Sequence, residues 1–198
     1  MTRTPLPRLA QLPRASHRRH PPPGQPGQRG LTLIECCAAL AVTALGLSAA
    51  VPDLGSARQR HQLQGASAQI ESDLHYARSL AVARNAPVRV SFTSGPALTC
   101  YVIHTGAADA CPCDAQGQPV CRAGAVALRS MPFAADAPVS VRSNSRSMLF
   151  DPRNGTVTPT ATVQLQGRDG SGVRLVVNVL GRVRGCSTGA ALTGYAAC

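Results

Sequence analysis

From Leu31 to Val51 the chain runs for twenty-one residues with a single formal charge, Glu35. At 1.5 Å per helical residue such a run is about 30 Å long, the thickness of a bilayer's hydrocarbon core. It predicts a transmembrane helix over 31–51. The preceding segment, 1–30, carries Arg3, Arg8, Arg14, Arg18, Arg19 and Arg29 and no acid, which holds it in the cytoplasm and sends the rest of the chain across. A basic segment ahead of an apolar stretch is also the pattern of a secretory signal peptide. Two details argue for an anchor instead. The run is longer than a usual signal core, and it contains a carboxylate, which is costly in hydrocarbon and therefore points to a role.

After Pro52 the pattern becomes amphipathic. Leu63, Ile70, Leu74, Ala77 and Ala81 recur at helical spacing, with Gln69, Asp73 and Arg84 placed on other faces. This predicts an amphipathic helix over 52–86, stopped at Asn85-Ala86-Pro87 because the residue before proline is pushed out of the helical region. From Val88 the period is two, and strands are expected near 88–92, 98–103, 125–131, 139–142, 147–150, 162–166 and 173–180. Breakers such as Ser94-Gly95-Pro96, Asn154-Gly155 and Asp169-Gly170 separate them. One long helix followed by strands reads as α+β, the helix covering one face of an antiparallel sheet in a β-rich head over 87–198.

The chain holds twenty basic residues against nine acids, and every base is arginine. Residues 31–141 are balanced at seven against seven, whereas 142–198 hold seven arginines and two acids. A basic C-terminal region implies an anionic partner or simple solubility. Six of the eight cysteines follow residue 99 in glycine- and proline-rich segments, which suits disulfides in an oxidising compartment. Cys186 and Cys198 suit a bridge that pins the C-terminal tail. Cys100, Cys111, Cys113 and Cys121 allow three pairings, among which sequence does not choose. The C-P-C spacing with Cys121 and His104 is an alternative zinc set, but it lacks the paired C-x-x-C spacing of structural sites; no metal or other cofactor is expected. Cys36 and Cys37 read as small packing residues inside the apolar run.

Gly30-Leu31-Thr32-Leu33-Ile34-Glu35 resembles the cleavage signal of type IV pilins and pseudopilins. The resemblance implies a leader cut by prepilin peptidase between Gly30 and Leu31, methylation of the new terminus, and a Glu35 that pairs with the amine of a neighbouring pilin subunit during assembly. Pro52 stands at a position where pilin helices commonly carry proline, and Leu31 replaces the usual phenylalanine. Within that class, Leu149-Phe150-Asp151-Pro152-Arg153-Asn154-Gly155 followed by Gly181-Arg182-Val183-Arg184 resembles the GspH/FimT group of minor pilins and pseudopilins. Its C-terminal GRxR pattern is associated with DNA binding during uptake. The resemblance implies a single-pass inner-membrane protein with its head in the periplasm, later assembled into a pilus or pseudopilus.

Alternation from Val173 places Val173, Leu175, Val177 and Val179 on one face of a strand and Arg174 and Asn178 on the other. Continued parity turns Arg182 and Arg184 outward, about 6.6 Å apart, where each can take a separate phosphate. The plainer reading is a solvated strand whose arginines keep an edge soluble. Tyr195 is the one aromatic nearby, so stacking on single-stranded bases is poorly supplied and phosphates of duplex DNA are the expected partner. Two other functions compete: a structural tip subunit of a type II secretion pseudopilus, and a membrane-anchored enzyme. The enzyme reading is weakest, because His61, His75 and His104 accompany no catalytic motif.

Overall fold

The computed structural model describes residues 32–198, and their side chains apart from those of 47–54. Helix α1 runs over Leu33–Arg84. The chain divides into two units at Leu45/Gly46, and the larger contains all the strands. Among the described residues no helix is long and apolar enough to cross a membrane. Leu31, and the side chains of 47–51 in the expected span, lie outside them, as do the leader 1–30 and the side chain of Pro52.

α1 ends two residues earlier than the proline alone implies, for a local reason. Asn85 takes φ 47°. Its N–H donates to Val82 O and the Ala86 N–H reaches back to Ala81 O, each 3.2 Å, which is the Schellman arrangement that satisfies the last carbonyls. Pro87 then starts the extended chain.

Ten strands follow: β1 Val88–Ser94, β2 Leu98–His104, β3 Ala127–Ala134, β4 Val139–Ser143, β5 Ser147–Phe150, β6 Val157–Thr158, β7 Ala161–Gly167, β8 Gly172–Val177, β9 Val183–Thr188 and β10 Ala196–Ala197. They form two sheets of five, in the orders β3-β2-β1-β5-β6 and β10-β9-β8-β7-β4, where one sheet was expected. Every pairing is antiparallel except β10 on β9. The α+β reading holds. β4 leaves its sequence neighbours to pair with β7, and periodicity within one strand carries no information about such a choice.

One core joins the helix to both sheets. Leu63, Ile70, Leu74, Ala77 and Ala81 of α1 pack with Val90, Tyr101, Met148 and Phe150 of the first sheet and with Val163, Leu165, Val173 and Leu175 of the second. Each fully buried aliphatic or aromatic side chain contributes on the order of 1.5–3 kcal/mol. Asp73, expected on another face of α1, is instead 1 % exposed within this seam. Tyr101 donates to its Oδ2 at 2.6 Å, Gln69 donates to Oδ1 at 3.1 Å, and Arg129 pairs with Oδ1. Burial pushes the Tyr101 phenol far up, the Asp73 carboxylate adds to that, and the same carboxylate raises Arg129. The buried charge is tolerated because its acceptors are used.

The outer face of the first sheet is covered. Arg89 faces His104 across β1 and β2, Ser91 faces Val102, and Thr93 faces Cys100. Of these, Ser91, Cys100, Val102 and His104 are buried although they point away from the core. The segment 105–126 lies over them, tied down by Cys100–Cys113 and folded on itself by Cys111–Cys121. Within it Arg122 N donates to Ala110 O and Val120 N to Pro112 O, while Cys113 N reaches Thr93 Oγ1.

Candidate functional site

Two loops that are far apart in sequence meet at Arg78 of α1. In the first, the Asp151 carboxylate accepts from the N–H groups of Arg153 and Asn154, an Asx-type turn. It brings Gly155, at φ 62°, under the helix. Arg78 Nε donates to Gly155 O at 3.0 Å. The second loop is the turn Asn178–Arg182, closed by Gly181 N to Asn178 O, Arg182 N to Asn178 Oδ1 and Asn178 N to Arg182 O. Gly181 sits at φ 68° so close that a Cβ there would lie 2.5 Å from Gly155 O. Only glycine fits both the conformation and the contact. His75, Arg78, Val82, Arg153 and Asn154 line an open groove of about 640 Å³ beside this junction.

The junction corrects the expected strand. β8 ends at Val177, not at residue 180, and Val179, placed on the buried face by parity, is 55 % exposed. Arg182 lies in the turn and is exposed, and Arg184 belongs to the returning strand β9. The two arginines therefore do not continue the strand that carries Arg174. They nonetheless come together with it, because β9 pairs with β8: Arg184 faces Val176, one position diagonal to Arg174, which itself faces Cys186 and Gln164. The Arg182 and Arg184 side chains make no hydrogen bond or ion pair among the described residues, and the buried Nε of Arg174 has no hydrogen-bond partner there.

Tyr195 is turned away from this face. Its hydroxyl lies 2.7 Å from Ser67 Oγ on α1, and its ring packs so tightly on Gly185 that a Cβ there would approach it to 2.6 Å. The tail is fixed by the Cys186–Cys198 disulfide and by the β10–β9 pairing, as the spacing of those cysteines predicts. The other four cysteines are paired as Cys100–Cys113 and Cys111–Cys121, so Cys111, Cys113 and Cys121 of the alternative zinc set are taken up in disulfides. His104 is wholly buried, its Nε2 2.8 Å from Ser91 Oγ and its Nδ1 2.9 Å from Thr105 O. Burial pushes its pKa down, the Thr105 carbonyl works against that, and the Arg89 charge lowers it further.

At the other end, Glu35 forms a reciprocal capping box with Thr32. Its Oε2 accepts from Thr32 N at 3.3 Å, while its own N–H donates to Thr32 Oγ1 at 3.3 Å. Both residues are exposed, as are the free thiols Cys36 and Cys37. Gly30 and Leu31, the expected cleavage pair, lie outside the described residues.

A helix laid on antiparallel sheets, with a turn-borne GRxR pattern locked to an Asp-Pro-Arg-Asn-Gly loop, defines a pilin-like head of the minor-pilin and pseudopilin class. The chain belongs to the family described as type II transport protein GspH, whose model matches residues 66–181. It is similar to the crystal structure of the type IV minor pilin FimU of Pseudomonas aeruginosa strain PAO1, at 22 % identity and TM-score 0.44, over 63 % of this chain and 88 % of that one. A second crystal form of that pilin gives 21 % and 0.43, over 62 % and 91 %. No curated protein matches the chain.

Proposed function

We propose that the chain is a minor pilin whose head binds the phosphate backbone of DNA through Arg182, Arg184 and Arg174 in the service of DNA uptake. The observation that carries this reading is the placement of Arg184 diagonal to Arg174 on one sheet face, with Arg182 exposed in the adjoining turn. Three guanidiniums without hydrogen-bond or ionic partners among the described residues offer donors to separate phosphates. With Tyr195 turned inward, little is left for base stacking, so binding is to duplex, salt-sensitive and indifferent to sequence. Replacing both Arg182 and Arg184 with alanine should weaken duplex binding by the full-length chain at least tenfold at low salt. Unchanged affinity sinks the reading.

The rest of the molecule is fitted to a filament by its resemblance. The leader is removed by prepilin peptidase between Gly30 and Leu31, the apolar run 31–51 anchors the chain in the inner membrane, and Glu35 exchanges its capping contact for a neighbouring subunit's amine. A Gly30→Ala precursor should stay uncut, and a mature terminus other than Leu31 refutes the assignment. The head acts as a subunit rather than a catalyst. A second reading, a structural subunit of a type II secretion pseudopilus, is favoured by the family description itself. Loss of secretion on deletion, with transformation intact, would select it.

A further inference from the structure

The second sheet carries more than the GRxR arginines. Strand register fixes which residues share its outer face. Arg142 of β4 faces Gln164 of β7, Gln164 faces Arg174 of β8, and Arg174 faces Cys186 of β9. On one side of that row lie Thr162, Val176 and Arg184. On the other lie Ser140, Gln166, Gly172 and Thr188. No acid occupies any of these positions, and Arg142, Gln164, Gln166, Val176 and Arg184 are exposed. Unlike the first sheet, this face keeps those side chains exposed among the described residues.

Spacing turns the row into a line of cations. Neighbouring strands lie about 4.8 Å apart, so Arg142 and Arg174, two strands apart, are separated by roughly 10 Å. Arg174 and Arg184 are diagonal neighbours at about 7–8 Å, and Arg184 and Arg182 are two residues apart, at about 6.6 Å or less. Arg142 makes no hydrogen bond or ion pair among the described residues. Guarding an exposed edge does not account for the pattern. Arg142 sits on an edge strand, but β8, which carries Arg174, is the central strand of five, where no edge needs a charge. Gln164, between the two, supplies neutral donors suited to phosphate and sugar oxygens.

We propose that the outer face of β9-β8-β7-β4 is a track for one sugar-phosphate strand of DNA, in which Arg142 takes a further phosphate and Gln164 bridges to it from Arg174. This rests on the DNA reading above and extends the contact from three arginines to four, reaching a strand that no motif marks. Because each neutralised phosphate adds about 0.9 to the slope of log affinity against log salt, the track contributes about 3.6 in place of about 2.7.

The test is a salt titration of labelled random-sequence 30-bp duplex against the full-length chain in nonionic detergent. Wild type is compared with Arg142→Ala, Gln164→Ala and the double Arg182→Ala/Arg184→Ala variant. The leader arginines are common to all four and cancel in the differences. Arg142→Ala should lower affinity about three- to tenfold at low salt and reduce the slope by about one, equally for unrelated sequences. Gln164→Ala should lower affinity and leave the slope alone. If the double variant loses affinity and slope while Arg142→Ala changes neither, the track is wrong and the three-arginine reading survives. If the double variant also matches wild type, both fail. Both single replacements are at exposed positions, and an unchanged melting temperature excludes misfolding as the cause.

Discussion

The two sheets share one core and differ in what they do with their backs. Behind β1 and β2, the first sheet places Ser91, Cys100, Val102 and His104 and buries them under a segment of about twenty residues held by two disulfides. Behind β8, β7 and β4, the second places the half-buried Arg174 and leaves Gln164, Gln166 and Arg142 exposed among the described residues. Alternation alone gives both sheets an inward apolar face, so the core cannot explain the contrast. The first back costs a long connector and its closure entropy, which cross-links offset. The second needs no such support, since short polar side chains and arginines are soluble as they stand. On the DNA reading, the cationic, acid-free face meets the partner and its exposed side chains contribute little to folding, while the covered face serves the fold. That separation can be broken experimentally.

The largest effect is expected on the covered side. Replacing Cys100, Cys111, Cys113 and Cys121 together with alanine removes two bridges that close loops of 13 and 10 residues, each worth about 2–3 kcal/mol. Melting should fall by roughly 10 °C or more, while duplex affinity below the transition stays as in wild type. If affinity falls in parallel, the two backs are coupled and the contrast is false. Asp73→Ala comes next. It leaves Tyr101 without its 2.6 Å acceptor and Arg129 without its carboxylate; a loss of about 2–4 kcal/mol is expected in urea unfolding, tempered because Arg129 is partly in solvent. Asp73→Asn should recover part of it.

A feature is legible in the sequence when its cause is local. The buried stripe Leu63, Ile70, Leu74, Ala77 and Ala81 follows from helical period alone, and the structure buries all five. The stop at Asn85-Ala86-Pro87 and the Cys186–Cys198 bridge are likewise short-range. Helical period alone misplaces Asp73, because its partners, Tyr101 and Arg129, come from strands 28 and 56 residues away. Parity carried too far past Val177, since the Asn178–Arg182 turn depends on Gly181 meeting Gly155 O beneath Arg78. No local pattern marks Arg142, because only the pairing of β4 with β7 brings it beside Gln164 and Arg174. The capping box Thr32-x-x-Glu35 was local and legible, yet the resemblance drew attention to Glu35 for another role.

A smaller effect on the covered side depends on pH. His104 is held neutral, its pKa pushed below the ordinary value near 6.5 by burial. The unfolded chain takes up a proton at about that pH while the folded one does not. Stability should therefore be full above 6.5, fall as pH drops below it, and level off once pH passes the folded value. The slope is at most about 1.4 kcal/mol per pH unit. His104→Gln, which keeps a polar group toward Ser91, should flatten the wild-type decline between pH 6.5 and 5 in thermal melts. An unaltered decline would assign it to carboxylates elsewhere.

The smallest effect on stability should come from the bare side, and there it is the most telling. Gln164 is exposed between Arg142 and Arg174, so Gln164→Glu places a carboxylate within reach of two guanidiniums that have no ionic partner among the described residues. For the folded protein this is neutral or slightly favourable, because opposite charges across a strand pair contribute about 0.2–1 kcal/mol and solvent screens them. For a phosphate backbone it is adverse twice over: the new charge repels the ligand and occupies the arginines that would receive it. Melting should shift by no more than a degree or two upward, whereas duplex affinity at low salt should drop by more than in Gln164→Ala. A variant that stabilises the head and weakens its contact with DNA separates function from fold at one atom's exchange. If Gln164→Glu instead destabilises the sheet and leaves binding intact, the uncovered face serves the fold after all, and the difference between the two backs is one of covering rather than of purpose.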